Sequence, residues 1–131
     1  MILDTNAVSD FADANQRLLD CLQQSAADIH LPVIVLGEYR YGVKSSRLRA
    51  ARESWLDELE SSAIVLAVTS ETSRIYADIR HELRRAGQPI PENDLWIAAL
   101  AHFRLSASKD RFSLFAGIKS WSMFISLRCT V

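Results

Sequence analysis

The sequence predicts an α/β fold in which a mainly parallel central sheet carries helices on both faces. Short apolar runs typical of buried strands alternate with amphipathic stretches of helical period along the 131 residues. The chain is 49% hydrophobic and 24% charged, which is the composition of an ordinary globular domain. Strands that alternate with helices favour a parallel sheet, and we expect one domain over residues 1–131 because this length can bury a sizeable core.

The first half of the chain alternates in this way twice. Residues 1–3 form a short apolar strand that is followed by Asp-Thr-Asn, a helix-start signal, and by Val8 and Phe11 at helical spacing. A leucine stripe at residues 18–22 predicts a second helix. The run 29–36 (IHLPVIVL) predicts a buried strand that leads into a helix near Gly37 and Glu38.

The pattern continues in the middle of the chain. Residues 48–59 have the spacing of an amphipathic helix, and the β-branched run 63–68 predicts a strand. Thr69 or Ser70 is expected to cap the next helix, and Gly87 is expected to end it.

The last third begins with Pro89 and Pro91, which exclude a helix until Asn93 and Asp94. Residues 95–103 then predict a helix that is buried on most sides. Two short candidate strands complete the sheet, at 105–108 and 120–126.

Acidic residues fall at one edge of this predicted sheet. Asp4 follows the first strand, Glu38 lies just past the second, Asp110 follows the strand at 105–108, and Asp94 begins the apolar helix. The carboxyl ends of parallel strands line one crevice, so these carboxylates are expected to converge. Clustered carboxylates repel each other unless a cation compensates them, and oxygen ligands without His or Cys suit Mg²⁺ or Mn²⁺. The pattern predicts a metal site for phosphodiester hydrolysis.

Each acid also has a structural interpretation, which is the commoner one for any single residue. Asp4 is explained as an N-cap, Asp94 as a cap or a partner of the helix dipole, Glu38 as a first-turn residue and Asp110 as a turn residue. Their shared edge is what favours a functional role.

Four segments together resemble the PIN domain of VapC toxins over essentially the whole chain. They are Asp4-Thr5-Asn6, residues 36–42 (LGEYRYG), residues 90–99 (IPENDLWIAA) and residues 108–112 (SKDRF). The Asn-Asp-x-x-Ile-Ala-Ala block is the most specific, and the order and spacing of the segments make the combination strong. The family usually has Thr where Ser108 stands, and a Gly turn between Asp94 and Asp110 that this chain lacks.

The resemblance implies a PIN-like three-layer sandwich and an endoribonuclease that depends on Mg²⁺ or Mn²⁺. Its acidic catalytic and metal-binding site would consist of Asp4, Glu38, Asp94 and Asp110. Thr5 or Asn6 would steady the first acid, and Ser108 would keep the family's hydroxyl. The resemblance further implies a toxin of a toxin-antitoxin pair, with a small antitoxin that blocks the acidic groove and a homodimer as the unit.

Basic residues near the acids are candidates for contacts with an RNA backbone, because phosphate contacts supply most of the sequence-independent affinity. The candidates are Arg40, Lys44, Lys109 and Arg111. A solvated charged face is the commoner explanation for any one of them. The formal net charge of -1 argues against a wholly basic nucleic-acid-binding surface, so RNA binding would use a local patch.

Other function classes lack their defining residues. Asn6 stands where a haloacid-dehalogenase-type phosphatase has its second Asp, the acid cluster of a receiver domain is missing, and four glycines form no phosphate-binding loop. The alternative that stays open is a catalytically weak PIN-like module that binds RNA or a partner protein. No apolar run is long enough to span a membrane. The two cysteines form no CxxC pair, so neither a zinc cluster nor a disulfide framework is expected. We therefore expect a cytoplasmic protein without membrane contact.

Overall fold

The computed structural model of this chain describes residues 1–25 and 27–106. Two compact units divide the chain, the first over Met1–Leu66 and the second beginning at Ala67. The strand expected at 120–126 lies outside the described residues, and a single domain over 1–131 stays a prediction.

The first unit contains four helices and two short strands. They are α1 (Thr5–Ala12), α2 (Gln16–Ser25), β1 (His30–Pro32), α3 (Val33–Val43), α4 (Arg49–Ser62) and β2 (Ile64–Leu66). The strands β1 and β2 pair in parallel, with His30 opposite Ile64. Ile2 forms a parallel bridge to His30 on the other side of β1, so the expectation of an α/β fold with a parallel sheet is confirmed.

The strand predicted over 29–36 is shorter than expected, because α3 already begins at Val33. Val35, Leu36, Tyr39 and Val43 are all buried, and this spacing places them on one face of a helix. Burial of that face outweighs the modest preference of Val-Ile-Val for extended backbone. The prediction of a strand over residues 33–36 was therefore wrong, and Glu38 lies in the middle of α3 rather than at its start.

Aromatic packing holds α1, α3 and α4 together. The ring of Trp55 on α4 meets Phe11 on α1 edge-on at 5.5 Å and Tyr39 on α3 at 5.9 Å between centroids. Arg52 adds polar links, since its guanidinium donates to the Tyr39 hydroxyl at 3.3 Å and to Asp13 at 2.5 Å. These contacts hold α3 and α4 against the C-terminal end of α1.

The second unit contains α5 (Ser70–Arg85) and α6 (Glu92–Ser106). Thr69 caps α5 in a reciprocal capping box with Thr72, as the sequence predicts. Gly87 follows the end of α5 with φ +65°, and its N–H donates to Arg84 O while Gln88 N–H donates to Leu83 O. This is a Schellman motif, so Gly87 ends the helix as expected.

The helix α6 is longer than predicted. It begins at Glu92, after the two prolines, and continues through Ser106, so Leu105 and Ser106 are helical and their assignment to a strand was wrong. The chain has no Gly or Pro between Glu92 and Ser106, and a helix without either residue has no local signal to stop. Ile79 and Leu83 on α5 pack with Leu95, Ala98 and Ala99 on α6 in one buried cluster.

Candidate active site

Asp4 is the N-cap of α1. It directly follows Ile2 and Leu3, which pair with His30 of β1. Its Oδ1 accepts a hydrogen bond of 2.7 Å from the backbone N–H of Ala7, which satisfies one of the free donors of the first helical turn. Partial burial raises the pKa of Asp4 above its ordinary value of 3.8, the Ala7 N–H lowers the pKa, and the charge of Asp10 raises it. The carboxylate is thus oriented by the helix and is held where a nearby positive charge would stabilise it.

Glu38, on α3, contacts Thr5, the residue next to Asp4. The hydroxyl of Thr5, the first residue of α1, donates to Oε2 of Glu38. Thr5 follows Asp4 directly in the chain. The hydrogen-bond partner of Glu38 is therefore the residue next to Asp4. Glu38, which is 34 positions from Asp4 in the sequence, is in this way bonded to the first residue of α1.

The expected support of Asp4 by Thr5 or Asn6 takes a particular form. The Thr5 side chain holds Glu38, and the side chain of Asn6 is exposed. The backbone N–H of Asn6 lowers the pKa of Asp4, which means that it favours the ionised carboxylate. Thr5 is therefore the support of the second acid, and Asn6 acts on the first through its backbone.

Asp94 belongs to the second unit, in the first turn of α6, where a negative charge interacts favourably with the helix dipole. Neighbouring residues fasten this turn to α5. The ring of Trp96 stacks on Tyr76 with centroids 4.0 Å apart. The Tyr76 hydroxyl donates to Glu92 at 2.9 Å and accepts from Arg80 at 2.6 Å. The start of α6, and with it the backbone of Asp94, is held in place by an aromatic and a polar contact.

The donor set fits a hard divalent cation in kind, because the predicted ligands are carboxylates without His or Cys. Within residues 1–25 and 27–106, no group of three or more His, Cys, Asp or Glu side chains forms a metal cluster. Ser108, Lys109, Asp110 and Arg111 lie outside the described residues. What the structure shows is that Glu38 is bonded to Thr5, the residue after Asp4, and the convergence of the acids stays a prediction.

The two described RNA-contact candidates differ in their surroundings. Arg40 donates to Glu60 at 2.7 Å and to Asp57 at 3.0 Å, and these carboxylates raise its pKa, with Glu60 the larger cause. Lys44 is exposed and makes no ion pair with a described residue. The sequence did not reveal the partners of Arg40, because both lie on α4, 17 and 20 positions away.

Comparisons with known proteins found similar sequences and a matching domain family. The PIN domain family model matches residues 1–107, which include Asp4, Glu38 and Asp94 and end before Asp110. The chain is 32% identical over 104 residues to Ribonuclease VapC2 of Rickettsia felis, covering 76% of this chain and 77% of that protein. It is 27% identical over 121 residues to the VapC ribonuclease Y4jK of Sinorhizobium fredii, covering 84% and 86%.

A solved structure has a similar fold. The crystal structure of VapBC2 from Rickettsia felis, bound to a DNA fragment from its promoter, superposes with a TM-score of 0.72. The two chains are 27% identical, and the match covers 79% of this chain and 80% of that one.

Proposed function

This chain belongs to the PIN domain family, and from that premise we propose that it is a metal-dependent endoribonuclease, the toxin of a toxin-antitoxin pair. The ribonuclease activity is supported by the VapC ribonucleases to which the chain is similar. The observation that carries the proposal is the hydrogen bond from Thr5 to Glu38, because it joins one predicted acid to the residue that directly follows another, as a shared site would require.

The proposed metal is Mg²⁺ or Mn²⁺, and its ligands would come from the four predicted acids, Asp4, Glu38, Asp94 and Asp110. Such an ion polarises a phosphoryl oxygen and lowers the pKa of bound water. The partly buried carboxylate of Asp4, whose charge burial disfavours, is the kind of ligand that a cation would keep ionised.

The chain's own residues prepare this site. The Ala7 N–H orients Asp4, and the Thr5 hydroxyl orients Glu38, so that both carboxylates are held before a substrate arrives. Lys44 would contact the RNA backbone, together with Lys109 and Arg111. Arg40 is a weaker candidate, because its charge already interacts with Asp57 and Glu60.

The proposed partners are an antitoxin, a second copy of the chain and RNA. The antitoxin is supported by the similar fold in the VapBC2 complex. An antitoxin that covers the acidic groove could use an Arg side chain for this contact. The planar guanidinium of Arg matches the geometry of clustered carboxylates. The homodimer and the RNA substrate follow from the family resemblance. In the described part of the chain, none of the helices is long and apolar enough to cross a membrane.

The test is RNA cleavage by the purified protein, freed of any antitoxin, with Mg²⁺ or Mn²⁺ and with EDTA. Structured and unstructured RNAs are incubated with the wild type, with Asp94→Asn and with Asp78→Asn. Asp78 is an exposed acid of the same unit, on α5, and it controls for the loss of one charge. We expect metal-dependent cutting by the wild type and by Asp78→Asn, and none by Asp94→Asn.

Two results would contradict the proposal. Equal cutting by Asp94→Asn and the wild type would remove Asp94 from the site or reveal a contaminating nuclease. RNA binding without cutting in either metal would favour the alternative of a PIN-like binding module.

A further inference from the structure

We propose that Tyr41 is a substrate-binding residue whose ring stacks on an unpaired base of single-stranded RNA beside the acidic site. This inference rests on the proposed ribonuclease function. Tyr41 is 81% exposed, whereas the other exposed large hydrophobic residues that the structure describes range from 39% to 59%. An aromatic ring held this far into solvent suggests a surface for binding rather than for folding.

The position of Tyr41 on α3 places it beside the second acid. The buried face of α3 consists of Val35, Leu36, Tyr39 and Val43. Tyr41 projects from the opposite face, three residues after Glu38, and side chains at this spacing are neighbours with about 5–6 Å between their Cβ atoms. Thr5 holds Glu38 at the start of α1, so the ring lies about one helical turn from one of the acids of the proposed site.

The other tyrosine of this segment shows what a structural role looks like. Tyr39 is only 4% exposed, packs against Trp55 and accepts a hydrogen bond from Arg52. The side chain of Tyr41 has no ring contact, hydrogen bond or ion pair with any residue in the described ranges, and its backbone carbonyl accepts a hydrogen bond from Lys44 N–H. Folding therefore explains Tyr39 and leaves Tyr41 without a structural role.

The charge around Tyr41 fits RNA. Lys44 lies one turn further along the same surface, exposed and without an ion pair to a described residue. Arg40, on the other side of Tyr41, is neutralised by Asp57 and Glu60 on α4. An aromatic ring followed by a cation is the combination that binds a base and the adjoining phosphate. Glu38 lies one turn before Tyr41, at the end of this surface away from Lys44.

The experiment compares Tyr41→Phe, Tyr41→Leu and Tyr41→Ala. Binding of a short fluorescent single-stranded RNA of mixed sequence is measured by anisotropy in an Asp94→Asn background, which prevents cutting, and cleavage is measured in the wild-type background. Loss of one stacked base corresponds to about 5- to 150-fold weaker binding. We expect this loss for Leu and Ala, near wild-type affinity for Phe, and unchanged melting temperatures for all three because the ring is exposed.

Abasic RNA identifies the contact directly. Single abasic sites are placed along an RNA that the wild type cuts, and binding is measured with Tyr41 and with Tyr41→Leu. At one position the loss of the base and the loss of the ring should fail to add, since both remove the same stack. Additive losses at every position would overturn the proposal.

Other outcomes assign the ring differently. Equal RNA affinity of the Phe and Leu variants would overturn stacking while leaving the ribonuclease intact if the wild type still cuts. A shift in oligomeric state or a loss of antitoxin binding by Tyr41→Ala, with RNA affinity unchanged, would assign this face to a protein interface. A wild type that neither binds nor cuts RNA would overturn both proposals.

Discussion

At the scale of single residues, the contacts of the acids matter more than their presence in the sequence. Asp4 has a structural role and a proposed chemical role at once, because it caps α1 through Ala7 and is partly buried. Burial opposes its charge and the cap favours it. A residue with two such roles can be tested for each separately.

We expect Asp4→Asn to abolish metal-dependent cutting without destabilising the metal-free protein at neutral pH. Asn caps helices about as well as Asp, and it carries no charge to desolvate. The pKa of Asp4 is raised in the folded state, so the folded protein binds more protons than the unfolded chain just above pH 3.8. Stability then falls as the pH rises through that window, and the advantage of Asn should grow over the same range.

Thermal unfolding in EDTA, measured as a function of pH, checks this expectation. Asp78→Asn provides the control for an exposed acid. A variant that melts lower than the wild type at neutral pH, with the two converging under acid conditions, would show that the ionised Asp4 stabilises the fold and that our sign is wrong.

A second residue-scale prediction separates the two described cations. Lys44→Gln is expected to weaken RNA binding, because Lys44 has no competing ion pair in the described part of the chain. Arg40→Gln should change RNA affinity less and instead affect stability by at most about 1 kcal/mol, the usual range for exposed ion pairs. Anisotropy and denaturant titrations of both variants test this. The reverse order of RNA affinities would assign the phosphate contact to Arg40.

At the scale of elements, the two ends of α5 are determined by local sequence signals, whereas the start of α3 is determined by packing. Thr69 with Thr72, and Gly87 with its two hydrogen bonds, define α5 from residues within one turn of each end. The start of α3 is different, because the buried face beginning at Val35 extends the helix back to Val33. Positioning of Glu38 therefore depends on packing.

Gly87 and Gly42 should respond to alanine with opposite signs. Gly87 has φ +65°, so Gly87→Ala is expected to cost about 1 kcal/mol of unfolding free energy. Gly42 lies within α3, where an added Cβ would meet no atom within 4 Å, and Gly42→Ala should stabilise by about 0.5–1 kcal/mol. Urea unfolding of both variants measures the two values. A stabilising Gly87→Ala would contradict the Schellman motif.

At the scale of the whole molecule, the charge balance limits how RNA is held. Fifteen Lys and Arg against sixteen Asp and Glu leave a formal charge of -1, and several cations are already paired, among them Arg40, Arg49 and Arg52. Non-specific attraction over a broad surface is not available to such a chain. If the proposals above hold, RNA affinity would come from a few phosphate contacts, from stacking and from the proposed metal.

The salt dependence of RNA binding should consequently be shallow. Single-stranded RNA releases counterions with a slope of about -0.7 per phosphate contact in a plot of log K against log salt. With Lys44, Lys109 and Arg111 as contacts, we expect a slope of about -2. Anisotropy titrations over a range of KCl concentrations with Asp94→Asn check it. A slope more than twice as steep would indicate a broad basic surface and contradict this view.

The sequence alone determined the features that depend on near neighbours. The α/β alternation, the helix start after Asp4, the cap at Thr69 and the stop at Gly87 are all written in adjacent residues, because capping and turn geometry involve groups within about one helical turn. The candidate acids were likewise chosen from short motifs in the sequence.

Only the tertiary structure decided which side chains meet. That Thr5 holds Glu38, that Arg40 is paired with Asp57 and Glu60, and that Tyr39 is buried while Tyr41 is exposed all depend on how α1, α3 and α4 pack. These contacts join residues 17 to 33 positions apart. Their free energy comes from burial and from long-range hydrogen bonds, which local propensity does not encode.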